Sequence, residues 1–202
     1  MSGCIVMAGL RKGLIEVYTG EGKGKTTAAF GLAFRALGWG MKVYILQFMK
    51  LGTYGENRIS RSVDGNLKVD FVGMPYFIGW ENEVPAEDIE RVKNLVICKR
   101  DSPPEEYRKK VQTYMTHLTD TWRNAESDIV ILDEVNVALY YRLIDMDQVM
   151  YLIDNKPENV ELVFTGRKMP EEIVSRADLV TEMVEIKHPY RSGIAARRGV
   201  DF

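Results

Sequence analysis

Cysteine is scarce in this chain of 202 residues: only Cys4 and Cys98 occur, far apart and without metal-ligand spacing. A disulfide framework and a cysteine-built metal centre are thereby excluded. Both thiols read as small apolar residues of a protein kept in a reducing cytoplasm. Charge of one sign is not in excess either. With 27 Lys and Arg against 29 Asp and Glu the formal net charge is −2, so no global basic field argues for nucleic acid as a partner. Long apolar runs are missing, and without a stretch of about 18 such residues there is no candidate membrane span. Residues 1–10 lack a basic leader and are interrupted by glycine, which is not the pattern of a secretory signal. Internal repeats and low-complexity linkers are absent as well. The expectation is a soluble cytoplasmic protein with small-molecule partners, no membrane and no nucleic acid.

What the chain does have is 46% hydrophobic residues, enough at this length for one domain with a real core. Apolar, β-rich runs recur at 14–18, 43–48, 67–72, 128–132, 160–164 and 179–186, with helix-like segments between most of them. Such alternation predicts an α/β fold, a mostly parallel sheet flanked by helices. Right-handed crossovers put the loops that follow the strands on one edge of the sheet, where ligands bind in folds of this kind. The clearest helix is predicted from Ser102-Pro103-Pro104-Glu105 to about residue 124, with Ser102 as its cap, Pro103 in its first turn and Glu105 closing a capping box. Val111, Tyr114, Met115, Leu118 and Trp122 share one face and point to the core, while His117 beside them has no ligand-spaced partner and reads as structural. Residues 73–85 read as the longest irregular stretch, and their aromatics make it a candidate binding loop.

The most informative stretch is Gly20-Glu21-Gly22-Lys23-Gly24-Lys25-Thr26-Thr27, between a strand-like run and an apolar helix starting near Lys25. Strand, glycine-rich loop, Gly-Lys-Thr and helix in that order read as a phosphate-binding loop, the alternative being a glycine-rich strand-to-helix turn whose lysines face solvent. Gly20, Gly22 and Gly24 let the backbone turn its N–H groups onto phosphate oxygens, and the helix N-terminus adds its dipole. Lys25 adds a full charge, Lys23 a second one, and the Thr26 hydroxyl is placed for Mg²⁺. Only three residues separate Gly20 from Gly24, where the usual loop has four. A contracted loop need not hold the γ-phosphate in the register that hydrolases and kinases use. Ile129 to Leu132 followed by Asp133 and Glu134 reads as a buried strand ending in two carboxylates, a Walker B pattern. One of the two holds the metal, and the other orients it or acts as a base. Asn136 follows within reach of a nucleotide. Arg167, just after the run 160–164, falls on the same edge and is placed to stabilise charge on departing phosphate. The basic tail 187–199 reads equally well as a solvated face.

Thr19 to Gly31, Gln47-Phe48-Met49-Lys50, Leu132-Asp133-Glu134-Val135-Asn136, Thr165-Gly166-Arg167, Ala177 to Met183, and Lys187-His188-Pro189-Tyr190 with Gly193-Ile194 resemble the P-loop-type ATP:corrinoid (cob(I)alamin) adenosyltransferases. The short loop is itself a mark of that family. The resemblance covers the chain from about residue 14 to the C-terminus. It implies a P-loop NTPase-like, RecA-like domain over residues 14–202, preceded by a mobile N-terminal segment, residues 1–13, which in relatives covers the corrinoid. It further implies that ATP with Mg²⁺ and a reduced corrinoid, cobalamin or a precursor, are the substrates. The 5′-deoxyadenosyl group would pass to Co(I), with inorganic triphosphate released. On this reading Gly22, Lys23, Gly24, Lys25, Thr26 and Thr27 hold the triphosphate, Thr26 and Glu134 hold Mg²⁺, and Arg167 stabilises the released phosphates. Relatives use an aromatic pair to displace the lower axial base of the corrinoid, and Phe77 and Trp80 resemble that pair. Two residues separate them here rather than one, and core aromatics are the competing reading. A homodimer and a flavin or flavoprotein reductant are implied in the same way. Two other classes stay open: a P-loop ATPase or small-molecule kinase in which Glu134 or Asp133 activates water or a hydroxyl, and a nucleotide-dependent binding module.

Overall fold

A strand with apolar residues on both faces has to be covered on both sides, and Val43–Phe48 is such a strand, buried along its whole length. In a computed structural model, which describes residues 9–201 except 61, 62, 64, 87, 88, 90, 91, 123 and 125, this strand lies inside a six-stranded sheet. The strands are β1 Ile15–Thr19, β2 Val43–Phe48, β3 Leu67–Val72, β4 Phe77–Trp80, β5 Leu95–Cys98, β6 Ile129–Asp133, β7 Glu161–Thr165 and β8 Leu179–Glu182. The helices are α1 Lys25–Leu37, α2 Gly55–Ser60, α3 Glu105–Trp122, α4 Val135–Tyr140, α5 Met146–Asp154 and α6 Glu171–Val174. Residues 1–8 of the N-terminal segment, with Cys4, lie outside the described residues.

The main sheet runs β3-β2-β6-β7-β1-β8, and every pairing in it is parallel. Tyr44, Leu46 and Phe48 of β2 join Val130, Leu132, Leu162 and Phe164 on one face, where α3, α4 and α5 pack. Val43 and Ile45 join Ile129, Ile131 and Val163 on the other face, covered by Ala29, Phe30, Ala33 and Ala36 of α1. The architecture is the expected α/β one, a parallel sheet flanked by helices. Among the described residues no helix is long and apolar enough to cross a membrane.

Three expectations need correction. The stretch 73–85 is not irregular throughout, because β4 lies in it and pairs in parallel with β5 as a separate two-stranded sheet. The last strand ends at Glu182 rather than 186: β1 turns away into the glycine loop after Thr19, and the Met183 carbonyl is taken at 2.6 Å by the Gly22 N–H. Helix α3 begins at Glu105, since a residue before proline is pushed out of helical geometry and Pro103 precedes Pro104. Its first turn is therefore closed by the Pro104 carbonyl, which accepts from the N–H groups of Tyr107 at 3.0 Å and Arg108 at 3.1 Å. The Ser102 capping box does not form. The face read as core is core: Val111, Met115, Leu118 and Trp122 are buried, with Tyr107 added at the N-terminal end, while His117 is exposed.

Candidate active site

All the strands of the main sheet point their carboxyl ends to one edge, and the loops after β1, β2, β6 and β7 meet there. The loop after β1 needs its glycines for two reasons. Gly20 and Gly24 take φ of +96° and +120°, a region that L side chains rarely enter. A Cβ on Gly20 or Gly22 would also stand 2.5 or 2.6 Å from the Met183 carbonyl oxygen, so the segment after β8 is packed against the loop backbone. Lys25 opens α1 and is buried. Its ammonium donates to the carbonyls of Gly20 at 2.6 Å and Gly22 at 2.7 Å, crossing the loop it belongs to. Burial lowers its pKa, and the nearby Glu134 opposes that shift. Thr26 faces the interior of the site and Thr27 faces solvent. Lys23 is held elsewhere, donating to the Val200 carbonyl at 2.8 Å and to the carboxylate of Asp201.

Asp133, the last residue of β6, is fully buried. Its Oδ1 accepts from the hydroxyls of Thr26 at 2.9 Å and Thr165 at 2.5 Å. Its Oδ2 accepts from Gln47 Nε2 at 2.9 Å and the Lys50 ammonium at 2.8 Å. Burial works against ionisation, yet the Lys50 charge and these hydrogen bonds win and hold the carboxyl below the ordinary aspartate range. A carboxylate offers about four lone-pair sites, and four donors use them. Glu134 is different in every respect. It caps α4 in a left-handed conformation, φ +62°, and its N–H donates to Thr165 Oγ1 at 3.1 Å. Burial and then the charge of Asp133 raise its pKa, against the pull of Lys50, Lys25 and Arg167.

Asn136 and Gly166 are fitted to each other. Gly166 takes φ +152°, and a Cβ there would stand 1.7 Å from Asn136 Oδ1. That oxygen is buried and has no hydrogen-bond partner. Arg167 follows at the mouth, 64% exposed, with Nη1 3.6 Å from Glu21 Oε2. The structure thus brings Gly20, Gly22, Gly24, Lys25, Thr26, Asp133, Glu134, Asn136 and Arg167 to one edge. It does not bring Phe77 and Trp80 to one face. Successive side chains in a strand alternate, so residues three apart diverge: Phe77 is 62% exposed and Trp80 1%. Trp80 packs on Tyr141 and Tyr140, with centroids 5.2 and 6.4 Å away, and under the Arg100 guanidinium. Sequence reasoning gave no role to Gln47, Lys50 and Thr165. Their signal was positional, since all three lie at or just after the end of a strand that neighbours β6 or β1.

The site offers the Thr26 hydroxyl and the Glu134 carboxylate as hard oxygen donors, the Asp133 carboxylate being taken up by its four partners. Among the described residues no three His, Cys, Asp or Glu side chains form a metal-holding group. Such a partial set suits Mg²⁺ carried in by phosphate oxygens, because that ion keeps part of its shell from substrate and water.

The family model described as "ATP:corrinoid adenosyltransferase BtuR/CobO/CobP" matches residues 11–202. The chain belongs to this family. A corrinoid adenosyltransferase of Sinorhizobium sp is 37% identical to it over 95% of this chain and 81% of that protein. One from Pseudomonas aeruginosa is 32% identical over 98% of this chain and 88% of that protein. Among solved structures, the genome packaging NTPase B204 of Sulfolobus turreted icosahedral virus 2 in complex with AMP aligns with a TM-score of 0.44 and 16% identity, over 88% of this chain and 78% of that one.

Proposed function

We propose that this corrinoid adenosyltransferase transfers the 5′-deoxyadenosyl group of ATP to the Co(I) centre of a reduced corrinoid and releases inorganic triphosphate. The cobalt electron pair forms the Co–C5′ bond as the C5′–O5′ bond breaks, and that bond's electrons leave on the triphosphate oxygen. No proton needs to be removed from the nucleophile, so the protein's work is to align two substrates and stabilise a polyanionic leaving group. The family match over residues 11–202 carries the reaction. The saturation of Asp133 removes it as the base of a hydrolase or kinase, because a carboxylate with four donors on it and a depressed pKa is a poor general base; that alternative then rests on Glu134.

The geometry supports the following roles. The amides of Gly20, Gly22 and Gly24 and the N-terminus of α1 would cradle the triphosphate, with Lys25 and Thr26 at its base and Arg167 as a cation at its rim; Thr27, which faces solvent, and Lys23, held by Val200 and Asp201, would have to turn toward it to take part. Asn136 presents its unpartnered oxygen to a donor on the nucleotide. Mg²⁺, when bound, supplies positive charge that neutralises the phosphate oxygens; Thr26 and Glu134 would hold it, and Asp133 fixes the Thr26 hydroxyl. Phe77, exposed on β4, is the aromatic that can meet a corrinoid. Reduction of Co(II) to Co(I) takes one electron, which a flavin or flavoprotein can supply. Exposed apolar side chains along and beyond β8, Leu179, Val180, Val184 and Ile186, support a homodimer. The free thiol of Cys98 suits the cytoplasm.

Incubation with ATP, Mg²⁺ and chemically reduced cobalamin tests the reading. Inorganic triphosphate and the spectrum of an alkylated corrinoid are expected. ADP with an unchanged corrinoid spectrum would sink it.

A further inference from the structure

Lys50 has no part in the reaction as described above, yet the fold takes trouble to place it. Its ammonium lies 2.8 Å from Asp133 Oδ2 and 3.2 Å from Thr26 Oγ1, with the side chain 13% exposed. The turn that carries it out of β2 is conformationally demanding, with Met49 at φ +60° and Gly52 at φ +72°. Gly73, just past β3, braces that turn by donating its N–H to the Lys50 carbonyl at 2.8 Å. The approach is so close that a Cβ on Gly73 would stand 2.4 Å from the same oxygen. Tyr54 offers its ring to the ammonium at 5.3 Å. Neutralising Asp133 requires only the first of these contacts. The second puts the cation against the hydroxyl that follows Lys25 in the phosphate loop. An ammonium has three N–H donors; Asp133 and Thr26 take two, which leaves one for a further acceptor.

We propose that Lys50 is a further triphosphate-binding residue, a cation set in place before the substrate arrives that meets the phosphate lying against Thr26. This rests on the nucleotide reading of the site given above. Lys25 would reach the triphosphate from inside the loop and Arg167 from its mouth, while Lys50 comes from the turn after β2 and lies against Asp133 and Thr26. The leaving group is then met by positive charge from three segments of the chain. Asp133 in turn keeps the Lys50 ammonium from swinging into solvent. The effect is largest without Mg²⁺, since metal and ammonium serve the same oxygens.

The test compares two variants in EDTA by calorimetric titration with inorganic triphosphate and, separately, with adenosine. Removing Lys50 alone would leave the Asp133 charge buried without a cation and endanger folding. The comparison is therefore between Asp133→Asn and the double variant Asp133→Asn with Lys50→Met, each checked by its thermal melt. The double variant should bind triphosphate at least about tenfold more weakly than the single one, as loss of a charged hydrogen bond implies, with adenosine affinity unchanged. Equal triphosphate affinity in the two variants overturns the proposal. Equal loss for both ligands overturns it too, since that is the mark of scaffolding. Wild-type protein that binds no triphosphate would instead overturn the nucleotide reading, and this proposal with it.

Discussion

Asp133 and Glu134 are adjacent in sequence and opposite in state: one is ionised and saturated, the other is raised toward protonation by burial and by its neighbour. The left-handed turn at Glu134 separates them, and no pattern in the sequence announces a turn of that kind at a glutamate. The glycine-rich turn between β1 and α1 was legible residue by residue because its backbone demands are local. Lys50, Gln47 and Thr165 were not, because they reach Asp133 only through the sheet order that sets β2 and β7 on either side of β6. Phe77 and Trp80 mark the same limit, since two aromatics near each other in sequence gave no hint of which would be covered. Phe77→Ala should leave the melting temperature nearly unchanged, as surface changes within about 0.5 kcal/mol do, and slow the reaction that starts from Co(II) while sparing pre-reduced Co(I). Trp80→Ala should destabilise by about 3–5 kcal/mol, as emptying an aromatic core site does. Denaturant melts paired with the two cobalt assays check both, and a Phe77 variant equally slow from either oxidation state would remove it from corrinoid contact.

At the scale of the element, boundaries failed where two local signals competed. Ser102 and Glu105 spelled a capping box, but the pair Pro103-Pro104 excluded Pro103 from the helix and moved the start to Glu105. The strands β4 and β5 were missed because each has four residues and neither pairs with the main sheet. The pairing of β1 with β7 carries a testable consequence at its N-terminal end. Glu161 is buried there and accepts the Leu14 N–H at 2.7 Å, while the Lys156 ammonium binds the carbonyls of Gly13 at 2.7 Å and Val160 at 2.8 Å nearby. Burial raises the Glu161 carboxyl to about 7, and Glu16 pushes the same way while the Leu14 amide opposes. A carboxyl that holds its proton more tightly when folded favours the folded state at low pH and loses that contribution as pH rises through its folded value. The wild-type melting temperature should thus carry a downward component between about pH 5 and about pH 7. Glu161→Gln, which cannot ionise, should flatten it. An identical pH profile in the variant would show that Glu161 does not titrate in this window.

On the scale of the whole molecule, the family motifs are spread from residue 14 to the C-terminus, and the fold gathers several of them at one edge. That gathering was foreseeable from the rule that parallel strands present their following loops together. The attachment of the far end was not: Lys23 of the phosphate loop binds Val200 and Asp201, 177 and 178 residues away, a closure that no spacing encodes. If the edge is a phosphate cradle, ligand binding should stabilise the entire chain. Triphosphate at about 100 times its Kd adds about 2.7 kcal/mol, which in a domain of this size is a rise in Tm of about 5–10 °C. Differential scanning fluorimetry with ATP, inorganic triphosphate and adenosine should show comparable shifts for the first two and a much smaller one for the third; no shift with either phosphate compound would reject the site. The hub at Asp133 also bears on motion. Because one carboxylate is shared by β2, the turn after it, α1 and β7, those four segments cannot part from one another without breaking a buried charged contact. On the proposed reading, the nucleotide would meet a rigid floor and adjustment to the bulk of a corrinoid would fall to the walls: the β4–β5 ribbon with its exposed Phe77, and the chain beyond Met183.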